Sequence, residues 1–265
     1  SLVGAAVTAA CERRNRPAFV TTRRRATVGR RRLFLDLESD LPFRPPADVG
    51  AALIVAAATD LGRCATDPRA QAINLARIPR LAAALLDQGL FVVFVSTNSV
   101  FGGDLPRPAE DDPVAPGALH YARQKAAGEA TIRDAAAARG AADRFAVVRL
   151  TKVLGAETPP LPAWRATWAR GGPVEPFADF VFAPVSLRHA GDALATVAEG
   201  RTAGNLHVSG AANVTYVDLA RALAGRLCIG ADRIRPTTAA MKGAHIPFMP
   251  RYSGLAMDRT TRLTG

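Results

Sequence analysis

Short apolar runs alternate with helical stretches along this chain, and no other feature restricts its fold as much. Residues 51–59 read AALIVAAAT, residues 91–95 read FVVFV and residues 145–150 read FAVVRL. Continuous apolar runs of this length are typical of strands covered on both faces. Helical stretches between them, including a long one over 118–139, indicate crossover connections between parallel strands. The predicted fold is therefore α/β, with a doubly wound parallel sheet.

Shorter elements surround these runs. Asp67 followed by Pro68 predicts the capped start of a helix that continues to about residue 89, with Pro79 interrupting it. Thr215 and Asp218 form a capping box and predict the start of another helix. Near the N-terminus, the pattern predicts a helix over 4–14 and strands over 18–22 and 32–37.

The chain carries a formal net charge of +11, which is compatible with a nucleic-acid partner. However, only three of its 34 Lys and Arg residues are lysines, and the chain is also rich in alanine. Such a bias is typical of genome composition as much as of a binding surface. Aromatic residues do not interleave with the arginines, as they do in single-strand binders. We therefore predict no nucleic-acid partner.

The three cysteines, Cys11, Cys64 and Cys228, are far apart and follow no metal-ligand spacing. They are typical of small buried side chains in a reduced chain, so we predict a cytoplasmic protein without a metal site. No apolar run reaches the ~18 residues of a membrane span, so we expect no membrane partner.

The segment HYARQKAAGE, residues 120–129, contains Tyr121 and Lys125 at a spacing of four. On a helix this spacing puts both side chains on one face, one turn apart. An ammonium favours a neighbouring phenolate, so we expect a lowered pKa for Tyr121. Thr97 follows a predicted strand, and open α/β sheets bind ligands at such strand ends. The three side chains suit a proton relay for hydride transfer at a carbonyl.

The segments STNSVFGG (96–103) and EDDPVAPGALHYARQKAAGE (110–129) resemble the extended short-chain dehydrogenase/reductase superfamily. They are most similar to its dTDP-4-dehydrorhamnose reductase branch, which carries Ser-Thr-Asp-Tyr-Val-Phe-x-Gly, then Glu-x-Asp, Tyr-x-x-x-Lys and Gly-Glu. Phe101 favours this branch, because sugar epimerases and dehydratases usually carry Tyr there. The resemblance extends over most of the chain, through residues 56–76, 147–155, 184–194 and 250–265.

This resemblance implies a role for each residue of the relay. Thr97 would polarise the substrate carbonyl, Tyr121 would donate the proton and Lys125 would hold the nicotinamide ribose. Asn74 would support Lys125. The resemblance also implies a set of residues that lie along the cofactor: Asp36, Leu37, Ala56, Ala57, Ala58 and Val153.

Two arginines indicate which nicotinamide cofactor the protein prefers. Arg23 and Arg24 directly follow the predicted strand 18–22. An acidic residue at that place selects a free ribose hydroxyl, whereas arginine accommodates a 2′-phosphate. We therefore predict that NADP(H) is preferred, with NAD(H) as the alternative.

The beginning of the chain departs from the family pattern. Gly4 matches the last glycine of the family's phosphate loop, but the first strand of the fold is missing. Leu2 and Val3 would still offer backbone N–H groups to a pyrophosphate at a helix start. We expect residues upstream of this sequence to supply the missing strand and a glycine-rich turn.

Four substitutions lie on the expected substrate side. Asn98 and Ser99 stand where the branch has Asp-Tyr, and Lys152 stands where a Trp is common. His189 stands where an Asp is usual, and we interpret it as a residue of a helix start. These departures leave the identity of the sugar open.

The sequence thus predicts an NADP-binding Rossmann-like domain over 1–155, completed by parts of 180–210, and a smaller substrate-binding lobe interleaved over 156–265. The predicted function is NAD(P)H-dependent reduction of a keto group on a nucleotide-linked sugar, and a homodimer is left open. One alternative is a nucleotide-sugar epimerase or dehydratase, which would hold NAD tightly. The other is a non-catalytic NADP-binding regulatory subunit.

Overall fold

The computed structural model describes residues 1–39 and 42–264, so residue 265 of the predicted lobe lies outside it. The helices are α1 Leu2–Arg13, α2 Leu61–Thr66, α3 Pro68–Ala72, α4 Ile78–Asp87, α5 His120–Ala137, α6 Leu161–Ala169, α7 Leu187–Gly200, α8 Tyr216–Arg226 and α9 Asp258–Thr264. The strands are β1 Val20–Thr22, β2 Arg32–Phe34, β3 Ala51–Ile54, β4 Phe91–Thr97, β5 Phe145–Leu150, β6 Lys152–Leu154, β7 Val181–Phe182, β8 Pro184–Ser186, β9 Gly204–Val208 and β10 Val214–Thr215.

The largest sheet has the strand order β3-β4-β5-β9, and all of its pairs are parallel. Thr97 lies opposite Leu150 at the carboxyl ends of β4 and β5. Helices cover both faces of this sheet, because parallel strands need crossover connections. The predicted α/β fold with a Rossmann-like parallel sheet is confirmed.

Two apolar layers hold the helices against the sheet. On one face, Val93 and Val148 pack in a cluster with Leu194 of α7 and Val7 of α1. On the other face, Phe94 packs with side chains of α4 and α5, including Leu85 and Ile132. Alternate residues of each strand enter opposite layers, as the two-residue period of a strand requires.

The strands β1 and β2 form a separate parallel sheet of two strands. Within residues 1–39 and 42–264, no strand joins this pair to the four-stranded sheet. Both predicted strands exist but are shorter than expected, since residues 18–19 and 35–37 lie outside the ladder.

The predicted strand 51–59 ends early, and the predicted helix that follows is interrupted. Beyond Ile54, the backbone N–H and C=O of Ala58 both bond to the side-chain amide of Asn74, at 3.0 and 2.9 Å, in place of a neighbouring strand. Asp67 caps α3 as predicted. The π-helical segment Ile73–Arg77 then separates α3 from α4, ahead of Pro79. Because proline has no backbone N–H, the hydrogen bonds of a regular α-helix cannot continue through Pro79, which fits the wider π-helical turn just before it.

A third apolar cluster lies in the C-terminal part of the chain. It is built on Trp164 and Trp168 of α6 and on Ala220 and Ala224 of α8. The capping box of Thr215 and Asp218 starts α8, as predicted. None of the described helices combines the length and the apolar character that crossing a bilayer requires.

Candidate active site

Thr97 is the last residue of β4, where the chain turns into a short 3₁₀ helix over Asn98–Phe101. Its Oγ1 accepts the backbone N–H of Ser99 at 3.2 Å and lies 3.1 Å from the Ser99 hydroxyl. The Thr97 hydroxyl also donates to Asn98 Oδ1 over a long 3.4 Å. The position of the oxygen is therefore fixed, and its proton has two acceptors within reach, the Asn98 Oδ1 and the Ser99 hydroxyl.

Lys125 brings helix α5 to the same strand end. Its Nζ donates to the carbonyl oxygen of Val95, two residues before Thr97, at 2.6 Å. The ammonium also lies 3.7 Å above the centroid of the Phe94 ring. Tyr121 is one helical turn before Lys125, partly buried at the start of α5. The strand end and the helix start thus meet through Lys125.

Burial shifts both titrating groups of α5 toward their neutral forms. Desolvation lowers the pKa of Lys125 to about 7, although the nearby Glu129 carboxylate raises it. Desolvation raises the pKa of Tyr121 to about 12, and the nearby Cys64 thiol adds to the rise. The expectation of a lowered pKa for Tyr121 is therefore wrong for this structure, because desolvation of the buried phenol raises its pKa.

Asn74 is 2% exposed and links the end of β3 to α5. Besides its two bonds to Ala58, its Nδ2 donates to Oε1 of Gln124 at 2.8 Å. Gln124 in turn donates to the carbonyl of Cys64 at 2.7 Å. The amide of Asn74 thus bonds to the residue next to Lys125, and its predicted support of Lys125 itself stays a prediction.

Small side chains line the chain after β3. Ala56 is exposed and Ala57 and Ala58 are partly buried, so this stretch presents backbone and methyl groups. Leu37 packs against the same cluster as Ala57. The Asp36 carboxylate accepts the N–H of Glu38 at 3.0 Å. Small residues at the carboxyl end of a strand permit the close approach that a dinucleotide needs, so these residues fit the cofactor.

The start of α1 faces the end of β3. Ser1 caps the helix by accepting the N–H of Gly4 at 3.0 Å, and Leu2 and Val3 follow in its first turn. A Cβ on Gly4 would lie 3.4 Å from a methyl of Val55. This contact shows that the helix start lies close to the residue that follows β3.

Arg23 and Arg24 are exposed directly after β1, at its carboxyl end. The backbone N–H of Arg24 donates to the hydroxyl of Thr22 at 3.1 Å. The next residue, Arg25, stacks over Phe34 of β2 at 4.1 Å. Arg25 was not predicted as a site residue.

The other predicted positions lie near the ends of β5 and β8. Val153 pairs with Val185 and packs against the sheet, whereas Lys152 has a pKa lowered by desolvation. The N–H of His189 donates to Ser186 in the first turn of α7, which agrees with its interpretation as a residue of a helix start.

Sequence reasoning missed a buried charged group beside the relay. Glu129 and Arg149 form an ion pair at 2.8 Å, and both side chains are 2% exposed. The signal was present, since an arginine inside the otherwise apolar strand FAVVRL needs a buried partner. Sequence reasoning also missed Ser253, whose backbone and side-chain oxygens each accept a bond from Asn98 at 2.9 Å.

Known proteins resemble this chain in sequence and in fold. The model of the RmlD substrate binding domain family matches residues 2–265. The chain belongs to this family. A probable dTDP-4,6-dihydroxy-2-methyloxan-3-one 4-ketoreductase of Streptomyces antibioticus is 34% identical over 227 residues, which cover 79% of this chain and 70% of that protein.

Solved structures share the fold of this RmlD family member. MoeE5, solved in complex with UDP-glucose and NAD, matches with a TM-score of 0.78 at 21% identity, over 99% of this chain and 89% of that one. A dTDP-4-dehydrorhamnose reductase of Bacillus anthracis, solved in complex with NADP, matches with a TM-score of 0.69 at 20% identity, over 80% and 73%.

Proposed function

We propose that this protein reduces a keto group of a nucleotide-linked sugar with NADPH. One observation supports this most strongly. Lys125 is buried, lies one helical turn from Tyr121 and donates to the carbonyl of Val95, two residues before Thr97. Membership of the RmlD family and the 34% identical ketoreductase favour a reductase over the alternatives.

In this proposal, the chain supplies the proton and a bound nicotinamide cofactor supplies the hydride. Tyr121 retains its proton at neutral pH because burial raises its pKa to about 12, so it can donate to the developing alkoxide. In this proposal, Thr97 turns its hydroxyl proton from Asn98 or Ser99 toward the same oxygen when the substrate binds. Lys125 holds the ribose and stabilises the phenolate that Tyr121 leaves.

The proposed preference for NADPH depends on Arg23 and Arg24. Both are exposed at the carboxyl end of β1, where a 2′-phosphate would lie in a dinucleotide fold. The two solved relatives were obtained with NAD and with NADP, so a nicotinamide cofactor is common to both. The cluster of Trp164, Trp168 and α8 is the proposed substrate lobe.

Neither alternative has comparable support. A dehydratase needs an acid just after Thr97, whereas Asn98 is an amide that donates two hydrogen bonds to Ser253. An epimerase holds NAD tightly, which the two arginines disfavour. Burying a lysine costs free energy, and a regulatory subunit has no need of a buried lysine at the end of this strand.

A turnover assay tests the proposal. Full-length protein is mixed with NADPH and a dTDP-linked 4-keto-sugar, and absorbance of the reduced nicotinamide is followed. We expect consumption of NADPH by the wild type. NADPH binding without consumption would support the regulatory subunit, and NAD released on denaturation would support the epimerase.

Tyr121→Phe tests the proton donor. We expect turnover to fall by about 10²–10⁴-fold, because the donated proton is lost. NADPH affinity should change by less than roughly twofold, since the ring remains and no charge changes. Tyr252→Phe is a matched control, because its described bond to Gly103 uses the backbone N–H. Equal turnover in Tyr121→Phe and the wild type would overturn the assignment.

A further inference from the structure

Three polar side chains form a row across neighbouring strands, one residue before the end of β4. Ser96, Arg149 and His207 are register partners on β4, β5 and β9. Because alternate residues of parallel strands share a face, all three side chains point toward the layer occupied by α5. The carboxylate of Glu129, on α5, contacts this row.

Glu129 bonds to two of the three strands. Ser96 Oγ donates to Glu129 Oε1 at 2.5 Å. Arg149 contacts both carboxylate oxygens, with Nη2 to Oε2 at 2.8 Å and Nε to Oε1 at 3.2 Å. A carboxylate that accepts this many charge-assisted bonds is fixed in position. The helix that carries Lys125 is thereby fixed relative to β4 and β5.

His207 completes the row without adding charge. Its Nδ1 lies 2.8 Å from the carbonyl of Ala256, so Nδ1 donates, and Nε2 accepts from Arg149 Nη1 at 3.2 Å. Burial lowers the pKa of His207 to about 4, so the ring is neutral at pH 7. Glu129 is therefore the single negative charge of this buried group, beside Arg149.

Lys125 lies one helical turn from Glu129. The groups around it are the Val95 carbonyl and Phe94 ring of β4 and Tyr121 and Glu129 of α5. The Cys64 thiol of α2 acts on Tyr121, and Arg149 and His207 lie beyond Glu129. Glu129 is the carboxylate among them. Its attraction opposes the cost of burying the ammonium.

We propose that Glu129 is a positioning residue of the active site, which fixes α5 through Ser96 and Arg149 and holds the Lys125 ammonium at the end of β4. The assignment of Lys125 to the active site rests on the proposed function. The effect of Glu129 on Lys125 is measurable without turnover.

The chain offers an unusually direct measurement, because it contains three lysines, Lys125, Lys152 and Lys242. Protein grown with ¹⁵N-labelled lysine should give three side-chain signals, and the one lost in Lys125→Met is assigned to Lys125. Titration of that signal reports the pKa of Lys125 in the full chain. In Glu129→Gln we expect it to fall by about one unit or more.

A double variant separates positioning from mere folding. Glu129→Gln alone leaves Arg149 buried without its charge partner and should lower the melting temperature. Glu129→Gln with Arg149→Met removes both charges and should recover most of that stability. In the double variant, we expect the pKa of Lys125 to stay below its wild-type value and kcat to stay reduced. Glu129→Asp, which keeps the charge, should retain most of the wild-type titration.

Two results would overturn the proposal. One is an unchanged titration of Lys125 in any folded variant that lacks the Glu129 carboxylate. The other is recovery of kcat together with stability in the double variant. If no keto-sugar is reduced by the wild type, the proposed function fails, yet a shifted Lys125 signal would still support the role of Glu129.

Discussion

Lys125 and Tyr121 have opposite pKa shifts from one physical cause. Burial favours the neutral form of each, so the ammonium gives up its proton more easily and the phenol less easily. Near pH 7 the phenol is protonated, while the lysine is close to its midpoint. Burial thus keeps the Tyr121 phenol protonated and makes the Lys125 ammonium easier to deprotonate near pH 7.

This burial has a consequence for stability. The pKa of Lys125 is about 7 in the folded chain against 10.5 in its ordinary state, so between these values the unfolded chain binds the extra proton. The free energy of unfolding therefore rises with pH across that window. Lys125→Met should be more stable than the wild type by roughly 2–4 kcal/mol at pH 6. Urea titrations at several pH values measure this difference in stability, which should shrink toward pH 9.

Lys242→Met is the matched control for this pH dependence. Lys242 is partly exposed and pairs with Glu175 at the surface. Its replacement should change stability by less than ~1 kcal/mol, with no trend between pH 6 and pH 9. A stability difference for Lys125→Met that does not vary with pH would contradict the burial argument.

Arg23 gives another prediction for a single residue. We expect Arg23→Ala to weaken NADPH binding by about 10–100-fold, because a charge-assisted bond to phosphate is lost. NADH binding should change little, since it has no 2′-phosphate. Arg31→Ala is the control, an exposed arginine that lies in the loop before β2. Fluorescence titration with NADPH and with NADH measures the affinities of the wild type and both variants. An equal loss of NADPH and NADH affinity in Arg23→Ala would contradict the assignment.

At the scale of elements, apolar runs and caps predicted most of the fold. The central strands and α5 were found because their patterns are local, and Asp67 and Thr215 cap the predicted helices. Pro79 predicted an interruption of this helix, but the π-helical form of the segment Ile73–Arg77 was not predicted. Asn74 must reach Ala58 and Gln124 at once, and no local pattern specifies that distance.

Close packing of α1 against α7 gives a prediction at this scale. A Cβ on Gly191 of α7 would lie 2.6 Å from the backbone oxygen of Ala6, so the helices would have to separate. Gly191→Ala should lower stability by roughly 2–3 kcal/mol despite its better helix propensity.

Gly225→Ala is the matched control in a different helix. Nothing lies within 4 Å of a Cβ at Gly225 in α8, so only backbone entropy changes. We expect this variant to be stabilised by about 0.4–1 kcal/mol. Thermal unfolding compares the two variants, and similar melting temperatures would show that the α1–α7 contact is looser than described.

At the scale of the molecule, the site combines segments that are distant in sequence. The residues of the proposed relay were chosen from the sequence because Tyr121 and Lys125 are four residues apart and Thr97 ends an apolar run. The contacts of the C-terminal segment were not predictable. Ser253 binds Asn98, and Arg259 donates its N–H to Glu110, across about 150 residues. Such contacts depend on how two irregular segments pack, which carries no periodic signal.

The row of Ser96, Arg149 and His207 also restricts how the sheet can assemble. Valine-rich strands pair almost equally well when shifted along each other, and a shift by one residue turns every side chain to the opposite face. In such a misaligned sheet, Arg149 would enter the apolar layer of α1 and α7 and lose its ion pair with Glu129. That outcome costs several kcal/mol. The same guanidinium that helps fix α5 therefore makes slipped, aggregation-prone pairings unfavourable while the chain folds.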